Sequence, residues 1–340
     1  MTPREKIQSL LEGKTLDPPP VLPMATFSTA HLAGIPVRRA RLDADLMARC
    51  LLEGLEKGGY DGIYAGWESS FNLLAAALGC GLSDPPDDVP SVDRPLLSGE
   101  APDPDLVDPD RVEKDPAVAL HARVAGILAE KVGETHMVFA YVPGPFTVAG
   151  LLLGSDRLLL EAAQDPDLVK AIVERAEEAC FRFARSRAEA GADVLVTADP
   201  LASSSVISPP MFRRFAKGPL SKLMERIAGE LGKVPSLHIC GRTTPILKDM
   251  AETGARILEL DHAVEMEEAA AKIPPGVVLQ GNVDPALLLS GPVEEIEKAA
   301  AKALEACRGR PFILSTGCEV GLRTPLEHYR ALVETSRAGN

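Results

Sequence analysis

The segment Ser236–Arg242 contains the residues best suited to chemistry, a histidine and a cysteine separated by one residue. On a β-strand, two residues with this spacing point to the same face of the sheet. Gly241 then allows the backbone to turn away. An imidazole and a thiolate are ligands that zinc prefers. His238 and Cys240 therefore supply half of a tetrahedral zinc site, and a third ligand must come from elsewhere in the chain.

Cys318 is the candidate for that third ligand, because it also follows directly after a predicted strand. A catalytic zinc site keeps its fourth position for water or substrate. Taken alone, such residues are more often buried apolar cysteines and a core histidine than metal ligands. Of the other cysteines and histidines, Cys80 and Cys307 suggest no role, and six are predicted to be structural: Cys50, Cys180, His31, His121, His136 and His328.

Composition restricts the classes of function that the chain can have. Its 340 residues are 46% hydrophobic and 25% charged, which permits a large core. The net charge of −13 argues against binding to nucleic acids or anionic membranes. No apolar run approaches the roughly 18 residues of a membrane span. A polar N-terminus and sparse cysteines without a disulfide framework predict a cytoplasmic protein.

The elements that must position the candidate ligands follow a repeating strand–helix pattern. Eight short apolar segments are predicted as strands, each followed by a helix: 21–26, 61–67, 136–142, 193–199, 236–240, 256–260, 277–281 and 312–316. This pattern predicts a single-domain (β/α)₈ barrel over residues 1–340. A doubly wound sheet is the alternative, but no glycine-rich dinucleotide fingerprint or P-loop supports it. In a barrel all strands end at one face, so the three candidate ligands can converge there.

Two regions lie outside this repeat. Residues 1–18 are predicted to form a helical arm, which begins with a capping box from Thr2 to Glu5 and a proline at the first helical position. Residues 81–116 are rich in Asp and Pro and are predicted to be a long surface excursion without structure of its own.

Several segments make the sequence similar to a known family. It resembles the uroporphyrinogen decarboxylase superfamily, and within it the zinc-dependent corrinoid methyltransferase branch typified by methylcobalamin:coenzyme M methyltransferase. The His238-x-Cys240…Cys318 pattern matches the zinc signature of that branch. The resemblance covers nearly the whole chain and is also carried by 141–150, 198–200, 207–209, 281–285 and 317–325.

The resemblance implies an activity. A methyl group would pass from methylcobalamin, bound to a separate corrinoid protein, to a small thiol such as coenzyme M. His238, Cys240 and Cys318 would be the catalytic residues and would bind Zn²⁺, which removes the thiol proton and orients the sulfur for attack. Asp261 would be a labile fourth zinc ligand or would contact one of the other zinc ligands. A water molecule in the fourth position is the equal alternative.

Other residues are candidates for contacts with substrate or corrinoid. Trp67, Glu68 and Tyr141 are predicted at the barrel mouth, although each could instead be packing. Asp199 and Asn282 lie at strand ends and could form hydrogen bonds with the substrate. Arg242 and Arg323 are candidates to bind an anionic group on the acceptor. His262, beside Asp261, could contact a zinc ligand or be exposed. For Asp284 the preferred interpretation is helix capping.

Several alternative functions stay open. Tetrapyrrole decarboxylation would require the arginine-rich segment that decarboxylases carry after strand one, and residues 21–30 contain no arginine. The same scaffold also serves demethylation of a methylated substrate onto a corrinoid protein. Methylation of homocysteine and a non-catalytic zinc- or corrinoid-binding subunit are the remaining classes.

Overall fold

The computed structural model of the protein describes residues 1–66, 70–83 and 89–339. The strands are β1 Gly62–Ala65, β2 Gly81–Ser83, β3 Ser91–Arg94, β4 Met137–Pro143, β5 Val194–Ala198, β6 Val234–Ile239, β7 Ile257–Leu260, β8 Val278–Val283 and β9 Phe312–Thr316. The helices are α1 Pro3–Leu11, α2 Phe27–Leu32, α3 Val37–Arg41, α4 Ala44–Gly58, α5 Ser70–Leu78, α6 Pro116–Val132, α7 Pro145–Leu153, α8 Ser155–Gln164, α9 Pro166–Ala190, α10 Pro209–Met211, α11 Lys217–Gly229, α12 Leu247–Ala251, α13 Met266–Lys272, α14 Pro285–Ser290, α15 Val293–Ala306 and α16 Leu326–Ala338. Short 3₁₀ turns span Pro104–Leu106, Pro109–Lys114, Pro200–Ala202 and Thr244–Ile246, and a π-helical turn spans Phe212–Ala216.

A curled, parallel seven-stranded sheet with order β1-β4-β5-β6-β7-β8-β9 forms the centre of the fold. All six strand pairs are parallel, and helices connect the strands. The predicted alternation of strands and helices is therefore confirmed for seven of the eight predicted strands. Because the sheet is parallel, every strand ends at the same edge. Among the described residues, no helix is both long enough and apolar enough to span a membrane.

The first predicted strand, residues 21–26, is shorter in the structure than predicted. Only Val21 forms a bridge, with Leu314 of β9. The neighbouring residues Pro20 and Pro23 have no N–H to donate, so a longer ladder cannot form. The segment still contacts both edges of the sheet. The Leu22 N–H donates to the Leu314 carbonyl, and the Val21 carbonyl accepts from the N–H of Asp61, next to β1.

The predicted N-terminal arm covers one end of the sheet interior. Its capping box is present, since Thr2 Oγ1 accepts from the Glu5 N–H and the Glu5 carboxylate accepts from the Thr2 N–H. Ile7 and Leu10 are buried in one apolar cluster with the first residues of several strands, including Met137, Val194, Ile257 and Val278. Helix α1 therefore closes the amino-terminal end of the interior, and the functional residues lie at the opposite end.

The excursion over residues 81–116 has more structure than predicted. Strands β2 and β3 pair as an antiparallel hairpin, and two 3₁₀ turns follow. Asp103, Asp108 and Asp115 each precede a proline, and each carboxylate accepts from a backbone N–H two residues ahead. The Asp-Pro repeats are thus caps that begin successive helical turns.

Candidate functional site

His238 lies near the end of β6, with Ala198 of β5 and Glu259 of β7 as its neighbours in the sheet. The imidazole is 3% exposed. Its Nδ1 lies 3.2 Å from the carbonyl oxygen of Glu259, which can only accept a hydrogen bond. In the neutral imidazole this contact places the proton on Nδ1, so that the lone pair of Nε2 can bind a metal. Nε2 lies 3.0 Å from the Sγ atom of Cys240.

Cys318 reaches the same position from the loop after β9. Its Sγ lies 3.5 Å from the Sγ of Cys240. Gly317 permits this approach, because a β-carbon there would lie 2.2 Å from the backbone nitrogen of His262. The Gly317 N–H also donates to the Val283 carbonyl at the end of β8, which fixes the start of the loop.

The three side chains form a cluster that fits a zinc ion. Their ligand atoms all lie within 4.8 Å of one another, and no fourth His, Cys, Asp or Glu joins them among the described residues. Two thiolates on one tetrahedral zinc ion lie about 3.8 Å apart. The observed separation of 3.5 Å between the sulfurs is close to that value. The donor set of one nitrogen and two sulfurs is also one that zinc prefers.

The electrostatics of the cluster favour a bound cation. Burial lowers the pKa of His238, but the Cys318 thiol and Glu259 outweigh burial and raise it to about 9. The hydrogen bond with Cys240, together with burial, raises the pKa of the Cys318 thiol well above its ordinary value. Without a cation the Cys318 sulfur therefore stays protonated. A metal ion would hold both sulfurs as thiolates.

A buried polar network lies below the cluster, inside the curled sheet. The Glu259 carboxylate is fully buried, and one of its oxygens accepts from the hydroxyls of Tyr64 and Ser236, each at 3.3 Å. Gln280 Nε2 donates to the Tyr64 hydroxyl at 2.6 Å and lies 3.5 Å from Ser315 Oγ. Burial raises the pKa of Glu259 to about 7, although the charge of His238 lowers it. This network was not predicted, and its signal is the presence of polar residues such as Ser236, Glu259 and Gln280 within largely apolar strands.

A small, mainly apolar cavity of about 20 Å³ adjoins the three ligands. Tyr141 lines it and stacks on Tyr64, with ring centroids 5.0 Å apart and planes 9° apart. Tyr141 therefore lies beside the three candidate ligands, and its contact with corrinoid at the mouth stays a prediction. The other lining residues beyond the three ligands are Met24, Phe71, Ala198, Pro200 and Glu319.

Asp261 lies next to the cluster in the fold, but its carboxylate has other partners. Oδ1 accepts from the Ala263 N–H at 2.8 Å and lies 3.1 Å from His262 Nδ1. Asn282 Nδ2 donates to the carbonyl oxygens of Asp261 and Val264, at 3.0 and 2.6 Å. These contacts connect the ends of β7 and β8. The side-chain nitrogen of Asn282 thus already donates to two backbone carbonyl groups.

Asp199 is buried and is engaged by helix α7. Its carboxylate accepts from the Phe146 N–H, the Thr147 N–H and the Thr147 hydroxyl, at 3.2, 2.7 and 2.6 Å. It therefore caps the amino end of α7 from a neighbouring strand. Asp284 also acts as a cap, since its carboxylate accepts from the Ala286 N–H at the start of α14. The capping interpretation of Asp284 is confirmed.

Trp67 and Glu68, predicted at the mouth, lie outside the described residues. Most of the cysteines and histidines remote from the cluster are buried in helices and apolar surroundings, as the structural interpretation expects: Cys50, Cys180, His121 and His328. Cys80 and Cys307 are also buried.

Comparisons with known proteins identify the family. The family model described as uroporphyrinogen decarboxylase matches residues 2–339. The chain belongs to the uroporphyrinogen decarboxylase family. It is 30% identical to methylcobamide:CoM methyltransferase MtaA of Methanosarcina barkeri, over 98% of this chain and 96% of that protein.

Two further members of the family show how the chain relates to its different activities. A uroporphyrinogen decarboxylase of Gluconobacter oxydans is 27% identical over 96% of this chain and 95% of its own length. The solved structure of a methyltransferase from Methanosarcina mazei superposes with a TM-score of 0.86 at 30% identity, covering 99% of this chain and 98% of the other. The relatives of this chain therefore include both activities at similar identity.

Proposed function

We propose that this family member is a zinc-dependent methyltransferase, which moves a methyl group from a methylated corrinoid to a small thiol. The observation that carries the proposal is the convergence of one imidazole and two thiols within 4.8 Å at the carboxyl ends of the strands. The full-length similarity to a methylcobamide:CoM methyltransferase supports the same reaction. Residues 21–30 contain no arginine for the carboxylates of a tetrapyrrole, which makes decarboxylation the weaker alternative.

His238, Cys240 and Cys318 would hold the zinc ion. When bound, zinc would lower the pKa of the acceptor thiol and keep it as a thiolate. The Glu259 carbonyl contributes by orienting the imidazole through Nδ1 at 3.2 Å. Asp261 would be a fourth residue to hold the ion when no thiol is bound. This role requires its carboxylate to leave the Ala263 N–H, from which it accepts at 2.8 Å.

The apolar cavity beside the ligands suits the transfer of an uncharged methyl group. Phe71, Tyr141 and Pro200 line this cavity together with the three ligands and would reduce the access of water. Removing water strengthens electrostatic interactions in the site and protects the thiolate from competing reactions.

The methyl donor would be methylcobalamin carried by a corrinoid protein, and we propose that both proteins act in the cytoplasm. Trp67 and Glu68 remain proposed contacts for the corrinoid at the mouth, together with Tyr141. Asn282 remains a proposed substrate contact, but only through the amide oxygen that its present hydrogen bonds leave free. For Asp199, the three hydrogen bonds from the start of α7 favour the capping role over the predicted contact with substrate.

We also propose that the sheet closes into a complete (β/α)₈ barrel, with the segment around Val21 as its eighth strand. The bridge to Leu314 on one side and the hydrogen bond from Asp61 on the other support this closure. A hydrogen-exchange measurement showing fast exchange of the Leu22 and Leu314 amides would argue for an open sheet.

Zinc analysis combined with methyl transfer tests the proposal. The purified protein should contain one zinc per chain and demethylate methylcobalamin in the presence of a thiol, observed as loss of the methyl–cobalt absorption band. Cys240→Ser and Cys318→Ser should lose both zinc and activity. Cys80→Ser is the matched control, because this thiol lies outside the cluster. Full zinc content in both site variants, or tetrapyrrole decarboxylation without thiol methylation, would refute the proposal.

A further inference from the structure

Among the six cysteines, all of which lie within the described residues, only the two sulfur ligands contact each other. The Sγ atoms of Cys240 and Cys318 are 3.5 Å apart, although 78 positions separate the residues in the chain. The other four cysteines are buried thiols outside the cluster: Cys50, Cys80, Cys180 and Cys307. The fold thus places one pair of thiols side by side.

The backbone beside both cysteines is held in place. The Gly317 N–H donates to the Val283 carbonyl at 2.8 Å, and the Arg242 N–H donates to the Ser205 hydroxyl at 3.0 Å. The cysteines themselves follow the last residues of β6 and β9, so neither belongs to a strand. A disulfide bond is about 2.05 Å long, so the two sulfurs must approach each other by about 1.5 Å. Rotation of two side chains can supply this movement without breaking any strand pair.

A small oxidant can reach this pair of thiols. Both cysteines are partly exposed, and both line the cavity of about 20 Å³ beside the cluster. A cavity of that volume holds about one molecule of the size of water. Hydrogen peroxide is only slightly larger than water. The buried thiols, by contrast, have neither access to solvent nor a second thiol in contact.

We propose that Cys240 and Cys318 form a site of reversible oxidation, at which hydrogen peroxide converts the two thiols to a disulfide. One sulfur attacks a peroxide oxygen, so that an S–O bond forms and the O–O bond breaks. The thiol proton leaves with the departing hydroxide as water, and the product is a sulfenic acid. The second sulfur then displaces the sulfenic oxygen, again as water, and the S–S bond forms. Two sulfurs have lost two electrons in total, and one peroxide has been reduced to two molecules of water.

The consequence for the metal follows from the ligand set, and here the inference rests on the proposed function. Zinc binds cysteine as the thiolate, and a disulfide sulfur carries no negative charge. Oxidation therefore removes two of the three ligands and leaves only His238. The protein would release zinc and stop methyl transfer until a reductant restores both thiols. The site would thus make the activity dependent on the redox state of its surroundings.

Peroxide treatment of the zinc-loaded protein tests the proposal. The expected product is one disulfide between the peptides that carry Cys240 and Cys318, found by mass spectrometry without reduction as a loss of two hydrogen atoms. A chromogenic chelator should detect one released zinc per disulfide formed. Dithiothreitol followed by zinc should restore the full zinc content. Metal-free reduced protein should form the same disulfide several-fold faster, since bound zinc holds the sulfurs about 3.8 Å apart and shares their lone pairs.

Two variants separate the pair from a single reactive thiol. Cys318→Ser leaves Cys240 without the second sulfur, so oxidation should stop at a sulfenic acid that dimedone traps, and no disulfide should form. Cys80→Ser is the matched control, because this thiol lies outside the cluster, and it should form the disulfide and release zinc as wild type does.

Three results would overturn the proposal. The first is full zinc content with both thiols intact after peroxide treatment. The second is a sulfinic or sulfonic acid at Cys240 or Cys318 without any disulfide. The third is oxidation of Met24, which lines the same cavity, while both thiols stay reduced. If the purified protein binds no zinc, the proposed function fails, but disulfide formation in the reduced metal-free chain still decides whether the two cysteines form a redox pair.

Discussion

Replacing Asp199 separates a structural role from a role in substrate binding. Its carboxylate is fully buried and accepts three hydrogen bonds, two from the backbone and one from the hydroxyl of Thr147, at the start of α7. Asp199→Ala would leave two N–H groups and a hydroxyl without a partner. Each such buried group costs about 1–3 kcal/mol, and removal of a buried charge offsets part of that sum. We therefore expect a loss of about 2–4 kcal/mol in the free energy of unfolding.

Urea unfolding followed by circular dichroism measures this loss, and thiol KM and zinc content are measured on the same protein. The expected result is a lower midpoint with unchanged zinc content and an unchanged KM for the thiol. If Asp199 instead contacts substrate, the variant will unfold like wild type and show a raised KM. That outcome would refute the capping role.

The pH dependence of stability gives a second test of the same residue. Burial raises the pKa of Asp199 from 3.8 to about 6, although the hydrogen bonds from Thr147 and Phe146 lower it. The folded protein then binds the proton more tightly than the unfolded chain does. The contribution of this group to the free energy of unfolding is largest below pH 4. It falls by up to roughly 3 kcal/mol as the pH rises to 6, because each unit of difference between the folded and unfolded pKa is worth about 1.4 kcal/mol.

Asp199→Asn supplies the reference that does not titrate. The difference in unfolding free energy between wild type and Asp199→Asn should fall as pH rises from 4 to 6. A difference that grows over this range would mean that the amino end of α7 stabilises the carboxylate more than burial destabilises it.

Three further changes test other parts of the fold. Ile7→Ala, in the helix that closes the interior, should cost about 2–4 kcal/mol in urea unfolding but leave zinc content unchanged, because Ile7 is fully buried far from the cluster. Gly317→Ala should weaken zinc binding at least about 10-fold in a chelator competition, since its β-carbon would lie 2.2 Å from the His262 nitrogen. Tyr64→Phe should cost about 1–2 kcal/mol, because Gln280 and Glu259 each lose one hydrogen bond in the interior. Wild-type stability in the first or third variant, or wild-type zinc affinity in the second, would contradict the corresponding prediction.

Local sequence patterns were sufficient to predict the parallel sheet and the elements that bear the candidate ligands. Seven apolar runs form strands at the predicted places because short β-branched segments between turn residues have few other solutions. The structure brings His238, Cys240 and Cys318 together since they follow parallel strands that end at one edge. The topology thus allows their proximity to be predicted without any knowledge of long-range contacts.

Other features depend on contacts between distant segments, which no local pattern contains. The hydrogen bonds from Tyr64 to Glu259 and from Gln280 to Tyr64 cross the interior of the curled sheet. The capping of α7 by Asp199 joins two elements about fifty residues apart, so a polar residue at a strand end could not be distinguished from a substrate contact. The two prolines around Val21 were visible in the sequence, however, and would have shortened the first predicted strand.

The segment around Val21, which is not a regular strand, has a second role beside the three candidate ligands. The Met24 N–H donates to the Thr316 hydroxyl at 3.1 Å, and the Val320 N–H donates to the Met24 carbonyl at 3.2 Å. The Phe27 N–H donates to the Glu319 carboxylate at 3.2 Å. These bonds hold the loop that carries Cys318 on both sides of the cysteine. A proline-interrupted segment suits this role better than a continuous strand, because backbone groups that do not pair within a sheet remain free to bind the loop.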